Sequence, residues 1–308
     1  MILSATTPPT QHQGPMKNWR KLNRFQAAGW HLTGSITIAI AVFLLFRFVW
    51  YPNGLFNVAA AGKLLLLVVG VDVVIGPLLT LSVFNPAKRL LPFDLMVIVL
   101  LQLSALSYGV SVLLQSRPVF LVGVVDRFEL VMANEIEADD LAAAADTPYA
   151  RLSWSGPVLV GTQSPKDPEQ RNRLLIESLT GGSDIDRRPA FYQDYRLASA
   201  GLRKRARPLS DWVGHTHPGV MAARSYALSH DRSLDQVLVL PLRARMAYAA
   251  ILLDANSGEP LHSFDFDPYE VLPKPPSGAA EPLASESAEG NPEVAEPKPP
   301  AQPSESAD

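Results

Sequence analysis

The stretch LLLLVVGVDVVIGPLLTLSVF, residues 64–84, decides the fold, because it is a long apolar run in which Asp72 is the one formal charge. A helix rises about 1.5 Å per residue, so about 20 apolar residues cross the roughly 30 Å of hydrocarbon in a bilayer. A helix also satisfies its own backbone hydrogen bonds, which lipid cannot do. The stretch therefore predicts a membrane-spanning helix.

Two further apolar stretches lie on either side of it. Residues 25–46 carry no formal charge, and residues 95–114 carry none either. A cleaved signal peptide is the rival interpretation of the first stretch, but that stretch is too long, lacks a small-residue cleavage site and precedes two more spans. We therefore predict three spans, at about 25–49, 63–84 and 94–115, within a transmembrane domain of residues 25–116.

The orientation follows from lysine and arginine in the short flanking segments. Six of these side chains lie on the side of the N-terminus and the second loop, and three on the opposite side. The six are Lys17, Arg20, Lys21, Arg24, Lys88 and Arg89, and the three are Arg47, Lys63 and Arg117. We expect a cytoplasmic tail of residues 1–24 and a C-terminal domain beyond the membrane. Trp50 and Tyr51 are then expected at the outer interface, where aromatic side chains concentrate.

Composition changes along the chain. Residues 1–115 hold eight Lys or Arg and two acids, whereas residues 273–308 hold two Lys and seven acids. The net charge of −3 does not indicate a nucleic-acid partner, and the absence of cysteine excludes disulfides and thiolate metal sites. Met16 resembles a natural start, so residues 1–15 are expected to be an over-extended start or a short tail.

Asp72 is the first candidate functional residue, since a carboxylate near the bilayer midplane is costly. One interpretation is a helix-packing or partner-binding acid, at the depth of Gln102 and Ser104 and close to that of Thr37. The other is a proton relay or an aspartyl protease, which needs a second acid at that depth. Asp94 lies roughly 15 Å away in depth, at a helix N-terminus, where capping explains it. We favour the first interpretation.

Helix packing in the bundle has its own signals. Pro77 is expected to kink the second span beside Asp72, and Gly76 adds local freedom. Ala105 and Gly109 lie four residues apart on the third span, a spacing that lets helices approach closely. The three helices are predicted either to pack together or to leave a face for a fourth helix.

Residues 117–272 have an ordinary soluble composition and predict a small α+β domain on the side of the membrane opposite the N-terminus. Strands are expected within 118–131 and at 157–162, 236–243, 246–253 and 261–266. Helices are expected at 136–145, 168–180 and 195–212. Residues 273–308 are rich in Pro, Ala, Ser and Glu and are expected to be a disordered tail.

Sequence motifs for catalysis or metal binding are weak in this domain. His215 and His217 lack an accompanying HExxH motif or a clear third ligand, and His230 beside Asp231 is a sequence neighbour only. We predict no catalytic site, no metal and no cofactor. A basic cluster contains Arg203, Arg205 and Arg207 and predicts either a solvated helix face or contact with anionic lipid or an acidic protein.

Six strings together resemble the type IV pilin accessory proteins of the TfpX/TfpZ type. They are VWYP at 49–52, KLLLLVVGVDVVIGPLLTL at 63–81, FDL at 93–95, LQLSALSYG at 101–109, RPV at 117–119 and VDRFELV at 125–131. The resemblance runs from about residue 16 to residue 269. Its motif positions here are Asp72, Gly76, Pro77, Asp94, Gln102, Asp126, Arg127 and Glu129.

The resemblance implies a role beside a major pilin in the inner membrane of a Gram-negative bacterium, with no catalytic residues to carry over. The leading hypothesis is a non-enzymatic accessory protein or chaperone that binds or stabilises its cognate pilin, with the lipid bilayer as its surroundings. A negative modulator of pilus assembly is the second hypothesis. A membrane enzyme acting on pilin or lipid is the third, and a proton-coupled transporter the fourth.

Overall fold

The computed structural model describes residues 23–245 and 247–271. The expected tail at 273–308 lies outside these residues, as do positions 1–22 with the basic side chains before Arg24. Three helices are long and apolar enough to cross a membrane, at Arg24–Trp50, Ala61–Val83 and Leu91–Gln115. An α+β domain follows them, so the predicted fold class is confirmed.

The first third of the chain forms a helical bundle, residues 24–115. Helix α1 spans Arg24–Leu44 and continues as a π-helical segment over Leu45–Trp50. The short α2 covers Leu55–Val58, and the long helices α3 and α4 cover Ala61–Val83 and Leu91–Gln115. Helix α3 packs against both α1 and α4, whereas α1 and α4 make little direct contact. The second span is therefore the centre of the bundle.

Residues 117–271 form the sheet domain, built on an eight-stranded mixed sheet. The strands are β1 Pro118–Gly123, β2 Phe128–Met132, β3 Val158–Thr162, β4 Tyr192–Asp194, β5 Arg207–Pro208, β6 Val237–Ala244, β7 Ala247–Asp254 and β8 Pro260–Phe264. Their order is β4-β3-β1-β2-β6-β7-β8, with β5 paired to β6. Strand β1 runs parallel to β3, and β2 runs parallel to β6. The other pairs are antiparallel.

Four helices accompany the sheet: α5 Ala138–Ala143, α6 Pro168–Leu179, α7 Tyr195–Arg205 and α8 Pro218–Ser229. The helix predicted over 195–212 is too long, because the chain leaves α7 after Arg205 and pairs with β6 at Arg207 and Pro208. Helix α8 was not predicted. Pro218 occupies its first turn, and the Gly219 amide donates to His217 Nδ1 at 3.2 Å, which caps the helix.

The connector between the first two spans, residues 51–60, joins the bundle to the sheet domain. One continuous apolar core contains residues of the bundle, the connector and the inner sheet face, among them Phe46, Trp50, Leu55, Phe128 and Ile251. The rings of Trp50 and Tyr51, which were expected at the outer interface, are buried by the protein itself and are not exposed on its surface. An apolar surface that meets other apolar residues has no reason to seek the headgroups.

Hydrogen bonds fix this junction from three directions. Trp50 Nε1 donates to the Trp154 carbonyl at 2.9 Å, and the Tyr51 hydroxyl donates to the Ser116 carbonyl at 2.9 Å. The Ser263 amide of β8 donates to the Asn53 carbonyl at 2.9 Å. The connector therefore docks on the sheet domain instead of looping free into solvent.

Candidate functional site

An interhelical groove lies between α1 and α4, with α3 as its floor. Its lining includes His31, Ser35 and Ile38 of α1, Asp72 of α3, and Gln102 and Leu106 of α4. The cavity holds about 250 Å³ and opens to the side. A groove that separates two helices of a three-helix bundle leaves space in which another apolar helix can lie.

Polar side chains gather on the cytoplasmic half of this groove, by the predicted orientation. His31 Nδ1 and Thr80 Oγ1 are 2.6 Å apart, and Thr80 Oγ1 also donates to the Gly76 carbonyl at 3.1 Å. A Cβ at position 76 would lie 1.9 Å from Gln102 Nε2, so glycine there lets the Gln102 amide approach α3. Gln102 Nε2 is buried and has no hydrogen-bond partner in the described part of the chain. Helix α3 is continuous across Pro77.

Asp72 lies half-buried in the same groove, with Ser35 and Leu106 nearby. Within residues 23–245 and 247–271, its carboxylate makes neither a hydrogen bond nor an ion pair. Asp72 and Gln102, which the sequence places at one depth, do line one groove. Among the described residues, Asp72 therefore offers an unused acceptor to the groove, whereas the unused Gln102 donor is buried against Gly76 of α3.

Two of the other bundle candidates, Gly109 and Asp94, make contacts within the chain. A Cβ at Gly109 would lie 2.5 Å from Val68 Cγ1, so this glycine allows the close packing of α3 and α4. Ala105 is exposed on the bundle surface. The capping role expected for Asp94 is wrong, because Leu90 precedes α4 and Asp94 lies inside the first turn, where its Oδ2 is 2.6 Å from Lys88 Nζ.

A second polar constellation lies in the sheet domain around Glu129 of β2. Arg127 Nε donates to Glu129 Oε1 at 2.6 Å, and Arg243 Nε of β6 donates to Oε2 at 2.6 Å. Arg127 also contacts Asp126, 3.2 Å away. Arg243 reaches Asp186 Oδ2 at 3.3 Å. The string VDRFELV thus supplies half of an ion network, and residues more than fifty positions away supply the rest.

Burial dominates the electrostatics of this network. Glu129 and Asp186 are each 3% exposed. Burial raises the pKa of both carboxyl groups, and for Glu129 the hydrogen bond from Arg127 and the charge of Arg243 oppose that rise. Beside the two acids lies an open cleft of about 480 Å³, whose lining also includes Ser178, Gly182 and Arg245.

Comparison with known proteins gives relatives that are all named for one process. The chain is 30% identical over 245 residues, 78% of its length and 95% of the relative's, to "Fimbrial assembly protein, serogroup E1" of Dichelobacter nodosus. It is 32% identical over 197 residues to the serogroup I protein of the same organism, covering 63% of this chain and 76% of the relative. The chain belongs to the fimbrial assembly protein family. This confirms the resemblance to a pilus-related membrane family.

A third member of the fimbrial assembly family, from serogroups C1 and C2 of the same organism, is 36% identical over 131 residues. That match covers 42% of this chain and all of the relative. No family model matches the chain. No solved structure matches it either.

The basic cluster of this fimbrial assembly family member divides into two environments. Arg203 donates to the carbonyls of Ala255 and Asn256 and so holds the turn between β7 and β8. Arg207 pairs with Asp211 at 3.0 Å, and Arg205 is exposed beside it. The cluster is therefore not a single basic face, because one of its three arginines is used inside the fold.

The histidines have structural neighbours. His217 caps α8, and the His230 ring lies against Tyr226, tilted by 33° with 4.1 Å between ring centroids. Among the residues that the structure describes, no three His, Cys, Asp or Glu side chains converge as metal ligands would. The residue that sequence reasoning missed is His31, whose hydrogen bond to Thr80 depends on the packing of α1 against α3.

Proposed function

We propose that this chain is an accessory protein of type IV pilus biogenesis that binds its cognate pilin in the inner membrane and tunes its assembly. The N-terminus lies in the cytoplasm and the sheet domain in the periplasm. The role is one of binding and needs no catalytic step. The family names support the process, and the distribution of lysine and arginine supports the orientation.

The interhelical groove is the observation that carries the proposal. A protein that escorts a membrane-anchored subunit must hold an apolar helix beside its own spans. The groove between α1 and α4 is open to the side and mostly apolar, with Ile38, Leu103 and Leu106 on its walls. Its few polar groups match the way that helices recognise one another in lipid, where close packing and interhelical hydrogen bonds drive association.

Asp72 gives this groove its specificity in the proposal. A carboxylate at that depth is costly unless a donor or a cation neutralises it, and the described helices supply neither. A pilin helix that places a donor at the same depth would relieve the cost. A helix without such a donor would leave the carboxylate unpaired, so the same residue rejects other apolar helices.

Deletion of the gene tests the proposed process. We expect fewer surface pili and a lower total pilin level on immunoblots if the protein stabilises waiting subunits. More or longer pili, with unchanged pilin, would instead identify the protein as a negative modulator that uses the same partner. If pilus number, pilus length and pilin level all stay unchanged, the proposed function is wrong.

The variant Asp72→Asn tests the groove. Asparagine keeps the shape of the side chain but removes its charge, so we expect the pilin that co-purifies with the protein to fall about tenfold, equivalent to about 1.4 kcal/mol. Asp94→Asn is the matched control, because it makes the same change in the same bundle at an acid already paired with Lys88. Co-purification that is equal in the wild type and Asp72→Asn would exclude a role for Asp72.

A further inference from the structure

Helix α6 presents an apolar face to the solvent. Leu175, Ile176 and Leu179 are 59%, 61% and 78% exposed. The three residues share one side of the helix, because positions i, i+1 and i+4 fall within about 100° of one another. No residue of α6 is buried, and Arg188 holds the helix in place through its 2.7 Å ion pair with Glu177. This surface, the α6 face, is an apolar patch without a role in the fold.

The acidic cleft beside Glu129 adjoins this face. Ser178 of α6 and Gly182 just after it form one lip of the cleft, and Arg243 and Arg245 lie on another side. Its acidic lining residues are Glu129, Glu135, Asp184 and Asp186, and its basic ones are Arg187, Arg243 and Arg245. Acids exceed bases by one among the lining residues, and Glu129 is also paired with Arg127, which lies outside the lining.

Asp186 is the residue of the cleft whose carboxylate has one oxygen without a hydrogen-bond donor among the described residues. Its residue is 3% exposed, and its Oδ1 atom has no hydrogen-bond partner in the part of the chain that the structure describes. Its Oδ2 atom receives Arg243 at 3.3 Å, while the same guanidinium lies 2.6 Å from Glu129. Arg243 therefore binds Glu129 more closely than it binds Asp186. A buried carboxylate with one weak partner is destabilising until another donor reaches it.

We infer that the acidic cleft binds a lysine or arginine side chain from the periplasmic part of the pilin, while the α6 face packs against apolar residues beside it. The inference rests on the proposed function. Lysine and arginine each combine a cationic donor group with a long apolar stem. The donor group can reach the Asp186 carboxylate inside the cleft while the stem lies along the apolar α6 face. A metal ion fits less well, because the described residues include no group of three converging ligands.

The chain contains no cysteine, so one introduced cysteine is a unique attachment point. Leu179→Cys, labelled in membranes with benzophenone maleimide and irradiated, should form an adduct that an antibody against the pilin detects. Leu228→Cys is the matched control, since Leu228 is 60% exposed on α8, a helix packed against the edge strand β8 and absent from the cleft lining. We expect at least fivefold more adduct at position 179. Equal adduct at both positions would overturn the inference.

The charge is tested in the Leu179→Cys background. Asp186→Asn should reduce the adduct about tenfold, whereas Asp146→Asn, the same charge change at an exposed acid outside the cleft lining, should reduce it less than threefold. If Asp186→Asn lowers the amount of protein, Ser178→Arg replaces it, because a guanidinium on the lip would fill the cleft and block the adduct. Adduct that survives Asp186→Asn or Ser178→Arg would show that no basic side chain enters.

A third labelled position separates the two proposals. Leu103→Cys lies in the interhelical groove and is 54% exposed. Pilin adducts at position 103 but not at position 179 would overturn the cleft and leave the proposed function in place. A lack of adduct at both positions would count against both. Adducts at both positions, with the Asp186→Asn loss confined to position 179, are the expected result.

Discussion

Replacing Gly54 with alanine is expected to destabilise the protein by about 4 kcal/mol. Gly54 has a φ of +84°, where a non-glycine residue costs about 1–3 kcal/mol. A Cβ there would also lie 2.1 Å from the Ser263 carbonyl oxygen, and overpacking against backbone costs about 1–3 kcal/mol more. The connector would have to leave β8. Thermal unfolding of the purified protein in detergent, followed by tryptophan fluorescence, measures the loss.

Gly214→Ala is the control that separates the two contributions. Gly214 has a similar φ, +94°, but nothing lies within 4 Å of a Cβ at that position. It should therefore show the conformational cost alone. If the two variants lose the same stability, the contact of the connector with β8 contributes nothing, and the junction does not depend on Gly54.

Replacing Glu129 with glutamine is expected to cost about 3 kcal/mol, because it leaves two arginines facing each other without the carboxylate between them. Arg127 and Arg243 each lie 2.6 Å from one of its oxygens. Both guanidinium groups are partly exposed, with 26% and 34% of each side chain accessible, so water relieves part of the cost. Urea unfolding of the detergent-solubilised protein gives the change in free energy.

Asp126→Asn makes the same chemical change at the outer end of this network. The Asp126 side chain is 49% exposed and 3.2 Å from Arg127, so its loss should cost less than about 1 kcal/mol. A Glu129→Gln variant as stable as Asp126→Asn would contradict the assignment of Glu129 as the centre of the network.

Hydrophobic length alone was sufficient to predict the three spans, and the patterns of strand and helix formers predicted the α+β class of the domain after them. Depth counting along the helices places Asp72 level with Gln102, since rise per residue is a property of each helix by itself, and both residues line one groove. His31 was missed because its partner, Thr80, lies on another helix, 49 positions away. Rotation of one helix about its axis relative to the next is set by packing, which no single span encodes.

The connector and the ion network were beyond prediction for a related reason. The Asn53-Gly54 pair indicates a turn, and turns ordinarily lie at the surface. Only the position of β8, more than two hundred residues later, makes that turn a docking point. Likewise, the string containing Glu129 gives no sign of Asp186 or Arg243, because sheet pairing and a distant loop bring them together.

The docked connector has a mechanical consequence. The sheet domain is tied to the bundle covalently after Gln115 and non-covalently at Asn53. Two separate attachments remove the swivel that one tether would allow, so the sheet domain and the first pair of spans are expected to move together.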